Sequence, residues 1–272
     1  MLDWFQVIEE IFGCDRPAQF IRGTGRRLPS EVVPDTLADI LLVRENLEGI
    51  YQGETLPGSD ANGRALAHTF YCTEQKVRLL LERAGRFAAG RSRHVAVIVK
   101  RSALPEISAL WEDCARDVME QHDVRYELMD IDFAAYQLLQ APEAFDVIAS
   151  PNCFGDILAD LGGLFFGSRG LTYGASYSAD GFGVYQTNHG CAYDLVGTNR
   201  ANPVGQIFSL AMVLRESFQL PEPAEAIVRA VRSVWGGGWR TADLMERGSR
   251  LVGTDEMADR IAEAITNEVP NE

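Results

Sequence analysis

The sequence predicts an α/β fold built on an open sheet with flanking helices. Two observations carry this. Three short apolar runs, His94 to Val99 (HVAVIV), Arg125 to Ile131 and Phe145 to Ala149 (FDVIA), alternate with helical patterns, and such alternation is the signature of parallel strands with crossover helices. Each run also delivers a chemistry-bearing residue at or just past its end: Lys100, Asp132 and Asp156. Ligands of open α/β sheets sit at the carboxyl ends of the strands, so the repeated placement points to one shared site.

Taken in order, residues 3–12 repeat as a helix, with Phe5, Ile8 and Phe12 on one side. The segment from Gly13 to Pro17 breaks it and includes Arg16. Ala38 to Val43 (ADILLV) reads as a buried strand that ends on Arg44. Tyr51 follows a glycine turn, and residues 56–63 read as a Pro/Gly-rich loop. Residues 69–87 form an amphipathic pattern with Val77, Leu80, Leu81, Ala84 and Phe87 on one side and Thr73 as a candidate cap. Helices are expected over 105–121, 134–139, 207–218, 224–234 and 255–265.

Composition narrows the class. The chain of 272 residues is 46% hydrophobic, enough for a soluble globular core. A net charge of −14 argues against nucleic acid as a partner, because phosphate contacts need a basic surface. No apolar run is long enough to span a bilayer, so no membrane association is expected. The first residues, MLDWFQVIEEIF, lack the basic region of a signal peptide. Five scattered cysteines without C-x-x-C spacing are expected to be free thiols in a reducing cytoplasm.

The densest chemistry lies between Ala149 and Pro203. Asp156 and Asp160 are four apart after Pro151, Asn152 and Gly155, and a helix opened by Gly155 would put them on one face. A hard divalent cation would offset their repulsion, although the spacing alone more simply describes a solvated helix face. A glycine-rich stretch then leads to His189-Gly190, Asp194 and Asn202-Pro203. No G-x-G-x-x-G follows a strand, so a dinucleotide would not use the Rossmann turn.

The run S-P-N-C-F-G-D-I-L-A-D-L from Ser150, with H-G-C-A-Y-D-L, N-R-A-N-P and V-R-E-N-L-E-G-I-Y from Val43, resembles the β-decarboxylating dehydrogenases of the isocitrate/isopropylmalate dehydrogenase family. Arg240-Thr241-Ala242-Asp243-Leu244 resembles a further motif of that family. The resemblance runs from about residue 15 to the end. It implies an isopropylmalate-dehydrogenase-like open sheet in which residues 1–40 and 150–272 are the remnant of a cofactor domain and 41–149 a substrate and dimerisation domain, part of the first domain being missing. It implies NAD- and Mg²⁺- or Mn²⁺-dependent oxidative decarboxylation of a 2-hydroxy acid.

By the same resemblance Asp132, Asp156 and Asp160 are metal ligands, Lys100 takes part in proton removal and Tyr51 returns a proton. Arg16 and Arg44 hold substrate carboxylates, as planar guanidinium forks do well. His189, Gly190, Asp194 and Asn202 form the cofactor loop, with Asp194 on the adenosine ribose, an arrangement that favours NAD over NADP. Lys100 and Asp132 are supplied by a neighbouring subunit, so a homodimer is expected, with residues 102–121 and 154–163 in its interface. Without the resemblance, Arg16 fits a turn arginine, Tyr51 a half-buried tyrosine and Lys100 a solvated strand-end lysine equally simply.

The sequence also departs from the family. The opening strand and its G-D-G-I-G-P-E turn have no counterpart, and Ser102, Phe133, Gln186-Thr187 and Tyr193 replace Asn, Asn, Glu-Pro and Pro of the family pattern. A catalytically impaired relative, acting as a regulatory-type subunit or through dimerisation, is therefore the alternative expectation.

Overall fold

The structure is a computed structural model, which describes residues 4–5, 10–12, 40–178 and 181–268. Arg16 lies outside the described residues, as does Cys14. At the centre is a five-stranded sheet of β2 (Glu10–Phe12), β3 (Ile40–Arg44), β8 (Val147–Ser150), β6 (His94–Val99) and β7 (Arg125–Asp130), in that order. The pairs β3 with β8, β8 with β6 and β6 with β7 are parallel, and β2 joins antiparallel to β3 at the edge. The expected strands before Lys100, Asp132 and Asp156 therefore lie side by side.

Both faces of this sheet are covered, which explains the nearly continuous apolar strands. Side chains alternate between faces with period two. Ile40, Leu42, Ala96, Ile98 and Ile148 belong to one core cluster. That cluster is completed by residues of α3 (Ile131–Gln140), α4 (Asn152–Phe166), α6 (Pro221–Gly236) and α7 (Thr254–Glu268). Leu41, Val43, Val95, Val97, Val99, Val147 and Ala149 join the other cluster with α1 (Glu74–Ala89) and α2 (Pro105–His122). Trp111, 1% exposed, is the largest fully buried side chain on that side. Helix α5 (Val204–Glu216) packs beside an antiparallel sheet of β1 (Trp4–Phe5), β9 (Tyr173–Ser178) and β10 (Gly183–Thr187). Two-residue strands β11 (Trp239–Arg240) and β12 (Arg250–Leu251) pair in parallel near the C-terminus.

Three expectations need correction. The helix read over residues 3–12 does not hold at its described residues: Trp4–Phe5 pair with β9 and Glu10–Phe12 with β3, so backbone pairing overrides the helical spacing there. The loop read over residues 56–63 is mostly a hairpin. Strands β4 (Glu54–Asp60) and β5 (Gly63–Thr69) pair over their whole length across a two-residue turn. Gly63, at φ 112°, takes a backbone conformation that suits glycine, and Asp60 Oδ1 accepts from Asn62 N at 2.7 Å. The hairpin is exposed at every position, so no burial pattern marked it in the sequence. Finally, α4 opens at Asn152 rather than at Gly155.

Candidate active site

The C-terminal edge of the parallel sheet collects two ion pairs. The first is on β3 and β8. Arg44 is the last residue of β3 and only 8% exposed. Its Nη1 donates to Asp156 Oδ1 at 2.6 Å, while Nε and Nη2 both donate to Asn152 Oδ1, at 3.1 and 2.6 Å. Asn152 and Asp156 are four apart on α4, which starts directly after β8. Gly155 lies between them because a Cβ there would stand 2.8 Å from Arg44 Cγ and 3.1 Å from its Cβ.

The chain then turns back to bring Tyr51 to the same carboxylate. Glu45 accepts from the backbone N–H groups of Leu47 and Glu48, at 2.6 and 2.9 Å, and closes a tight turn. Burial pushes the Glu45 carboxyl up from its ordinary value, against the opposing pull of those N–H groups. Glu48 accepts from Thr73 N and Oγ1 at 2.7 and 2.8 Å, which ties the turn to the start of α1. Thr73 thus spends its hydroxyl on Glu48 rather than on the helix it precedes. Gly49, at φ 87°, opens the 3-10 turn Ile50–Gln52. From that turn Tyr51 donates its hydroxyl to Asp156 Oδ2 at 3.0 Å. The Cys153 thiol, burial and the Asp156 carboxylate all raise the phenol's pKa well above its ordinary range, so Tyr51 keeps its proton. Its ring lies under the Arg44 guanidinium, 5.9 Å from the centroid. His68 of the hairpin reaches the Ile50 carbonyl at 2.7 Å and steadies this turn.

The second ion pair is on β6 and β7. Lys100 follows β6, and Asp132 sits in the first turn of α3. Lys100 Nζ donates to Asp132 Oδ1 at 2.6 Å, and this bond, ahead of all other causes, lowers the Asp132 pKa. Asp130 is 4.0 Å from Nζ and accepts from Arg101 Nε at 3.0 Å.

Asp160 is on α4 with Asp156 but is bound by Arg169, whose Nη2 donates to both oxygens at 2.8 and 3.1 Å. Asp156 and Asp160 are 49% and 60% exposed and so remain open to a ligand. Among the described residues no group of three or more His, Cys, Asp or Glu is gathered to hold a metal. The oxygen-only donors of Asp156 and Asp160 suit a hard cation such as Mg²⁺ or Mn²⁺. Within one chain, Asp132 is hydrogen-bonded to Lys100 rather than grouped with them.

The predicted cofactor loop is largely open. Asp194 is exposed in the turn Tyr193–Leu195, next to Tyr193 at 82% exposure. A Cβ on Gly190 would meet nothing within 4 Å, so the backbone there is free for close approach. His189 Nδ1 is 2.9 Å from the carbonyl of Gly190. Asn202 is anchored at both ends of its amide: Oδ1 accepts from Val204 N at 3.0 Å and Nδ2 donates to Asp243 Oδ2 at 3.1 Å. Asp243 also accepts from Thr241 Oγ1 at 2.6 Å and from Ser168 Oγ. The site residues missing from the sequence reading are Asn152, Glu48, Thr73, Arg169 and Asp243. Glu48, Asn152 and Asp243 stand inside the quoted motifs but were given no role, and the i, i+4 spacing of Asn152 to Asp156 was a further signal.

Similarity to known proteins agrees with this geometry. The family model for isocitrate/isopropylmalate dehydrogenase matches residues 6–261. The chain belongs to the isocitrate/isopropylmalate dehydrogenase family. It is 40% identical over 240 residues to a 3-isopropylmalate dehydrogenase of Geobacillus kaustophilus, covering 87% of this chain and 64% of that relative. It is 38% identical over 267 residues to a 3-isopropylmalate dehydrogenase of Carboxydothermus hydrogenoformans, covering 97% and 70%. The crystal structure of isocitrate dehydrogenase from Methylococcus capsulatus superposes with a TM-score of 0.77 at 28% identity, covering 97% of this chain and 71% of that one. The chain thus spans about two thirds of the length of these relatives. Among the described residues no helix is long and apolar enough to cross a membrane. Cys72, Cys114, Cys153 and Cys191 are free thiols.

Proposed function

We propose that this chain catalyses the NAD- and divalent-metal-dependent oxidative decarboxylation of a 2-hydroxy acid of the 3-isopropylmalate/isocitrate type, and does so as a homodimer. The observation that carries the reading is the Asp156 carboxylate shared between Arg44 and Tyr51. It joins a carboxylate-binding guanidinium, a protonated phenol and an oxygen ligand at the edge of a parallel sheet where ligands bind.

Arg44 holds a substrate carboxylate with the N–H groups it does not spend on Asp156 and Asn152. Arg16 is assigned the same task by sequence. Lys100 takes part in removing the hydroxyl proton, and NAD, when bound, would supply the hydride acceptor that the oxidation requires. The carbon–carbon bond to the 3-carboxylate then breaks, CO₂ leaves, and the electron pair stays as an enolate. Tyr51 returns a proton to carbon as general acid, and its raised pKa keeps the phenol protonated beforehand. Asp132, Asp156 and Asp160 would hold a divalent cation, which would supply Lewis-acid stabilisation of the developing negative charge. His189, Gly190, Asp194 and Asn202 hold NAD.

The homodimer rests on the family resemblance: Lys100 and Asp132, which pair with each other within one chain, would serve the Asp156 cluster of a second copy. The interface is assigned to residues 102–121 and 154–163. Exposed Ile157 on α4 supports that assignment. The division into a cofactor unit (1–40 and 150–272) and a substrate and dimerisation unit (41–149) goes with this reading. The four free thiols fit a reducing cytoplasm.

The test is an initial-rate assay with NAD, Mg²⁺ and 3-isopropylmalate, isocitrate or D-malate, following NADH and CO₂ together. Equal yields of both support the reading. Dimers that bind neither substrate nor NAD, and turn nothing over, would support the catalytically impaired relative instead.

A further inference from the structure

We infer that Asn152 is a positioning residue that fixes the direction of the Arg44 guanidinium and limits the negative charge around it. The inference rests on the proposed role of Arg44 as a substrate-carboxylate ligand. Asn152 is 2% exposed, and every polar atom of its side chain that makes a hydrogen bond serves the loop from Arg44 to Tyr51. Its Oδ1 receives the Nε and Nη2 edge of Arg44, and its Nδ2 donates to the carbonyl of Glu48 at 3.2 Å. These partners settle which end of the amide is oxygen, because the reversed amide would set donors against donors and an acceptor against an acceptor.

A guanidinium carries five N–H groups, and three are spent here, two on Asn152 and one on Asp156. One N–H on each terminal nitrogen is left for a ligand. The clamp therefore turns the remaining fork of Arg44 in one direction. The same residue clamps the turn from behind through Glu48, whose carboxylate is in turn fixed to Thr73. Tyr51, three residues beyond Glu48, inherits that placement.

The amide matters for charge as well as shape. Arg44 already faces one carboxylate, Asp156. A second carboxylate in place of Asn152 would accept the same two hydrogen bonds but give the cluster a net negative charge toward an anionic substrate. A neutral acceptor orients Arg44 without adding a second negative charge.

The test uses the full chain labelled with ¹⁵N-arginine, in wild type, Asn152→Ala, Asn152→Asp and Arg44→Lys. The Arg44 Nε–H signal is the one lost in Arg44→Lys. It should be resolved in wild type, collapse into the solvent-exchanging arginine signals in Asn152→Ala, and persist in Asn152→Asp, the near-isosteric variant that guards against misfolding of the first. Calorimetry with Mg²⁺ and 3-isopropylmalate should give affinity weaker by about tenfold or more in both Asn152 variants, with NAD affinity unchanged. An unchanged Arg44 signal in Asn152→Ala overturns the positioning role. Wild-type substrate affinity in Asn152→Asp overturns the charge role. A wild type that binds no 2-hydroxy acid while its Arg44 signal still depends on Asn152 overturns the functional reading and leaves the positioning role supported.

Discussion

Tyr51 donates its phenol to the Asp156 carboxylate at 3.0 Å, and the other oxygen of that carboxylate is held by Arg44 at 2.6 Å. The proposed proton donor is thus tied, through one carboxylate, to the proposed substrate ligand Arg44. Tyr51→Phe removes the proton and leaves the ring. It should lower kcat by about 10²- to 10⁴-fold while leaving NAD binding and the thermal midpoint close to wild type. Steady-state kinetics and a thermal melt check this; a fall in kcat of less than about threefold would show that another group supplies the proton.

Gly155→Ala forces a methyl group to within 2.8 Å of Arg44 Cγ. Neither Arg44 nor the first turn of α4 has room to yield, since Arg44 is fixed by three hydrogen bonds. The variant should lose about 1–3 kcal/mol of stability, as overpacked sites do, and bind substrate more weakly. Denaturant unfolding measures the first effect and calorimetry the second. Wild-type values for both would mean that Arg44 is freer than its contacts imply.

Much of the central sheet was legible in the sequence because its strands are buried on both faces. HVAVIV and FDVIA announce themselves as apolar runs, and their ends mark the site. The hairpin of β4 and β5 was not legible: it has no buried face, and Pro57 and Gly58 give it the composition of a loop. The spacing of Phe5, Ile8 and Phe12 fits a helix, but strand pairing with β3 and β9 decides otherwise. Arg44, Tyr51, Lys100 and the aspartates were picked out as candidates from residue type and motif. The roles of Asn152 and Glu48 depend on contacts that span 104 and 108 residues of sequence, and no local pattern reports those.

Asp132 offers a test by pH. Lys100 holds its carboxyl below the ordinary 3.8. A group whose folded pKa is depressed contributes stability above the unfolded value and loses it as pH falls through the folded value. The window for this pair therefore opens near pH 3.8 and extends downward. Because Asp132 is well exposed, the effect on unfolding is small, and the direct observable is its titration. NMR should place the Asp132 midpoint below 3.8, and Lys100→Met should raise it. A midpoint indifferent to Lys100→Met would break the pair.

Asp194 should set the cofactor. A carboxylate accepts hydrogen bonds from ribose hydroxyls and repels a 2′-phosphate at close range. Titration with both dinucleotides in Mg²⁺ should give tighter binding of NAD, and Asp194→Lys should reduce that preference. Tighter binding of NADP to the wild type would mean that the exposed turn Tyr193–Leu195 does not face the ribose.

The central claim is one chemistry carried out by a site assembled from two copies. It is tested most directly by mixing two inactive variants, Tyr51→Phe and Lys100→Met, after unfolding and refolding them together. Random pairing makes half of the dimers mixed, each with one intact site, so NADH formation should return to about a quarter of the wild-type rate. A mixture that stays as inactive as its components, beside an active wild type, would contradict the shared site.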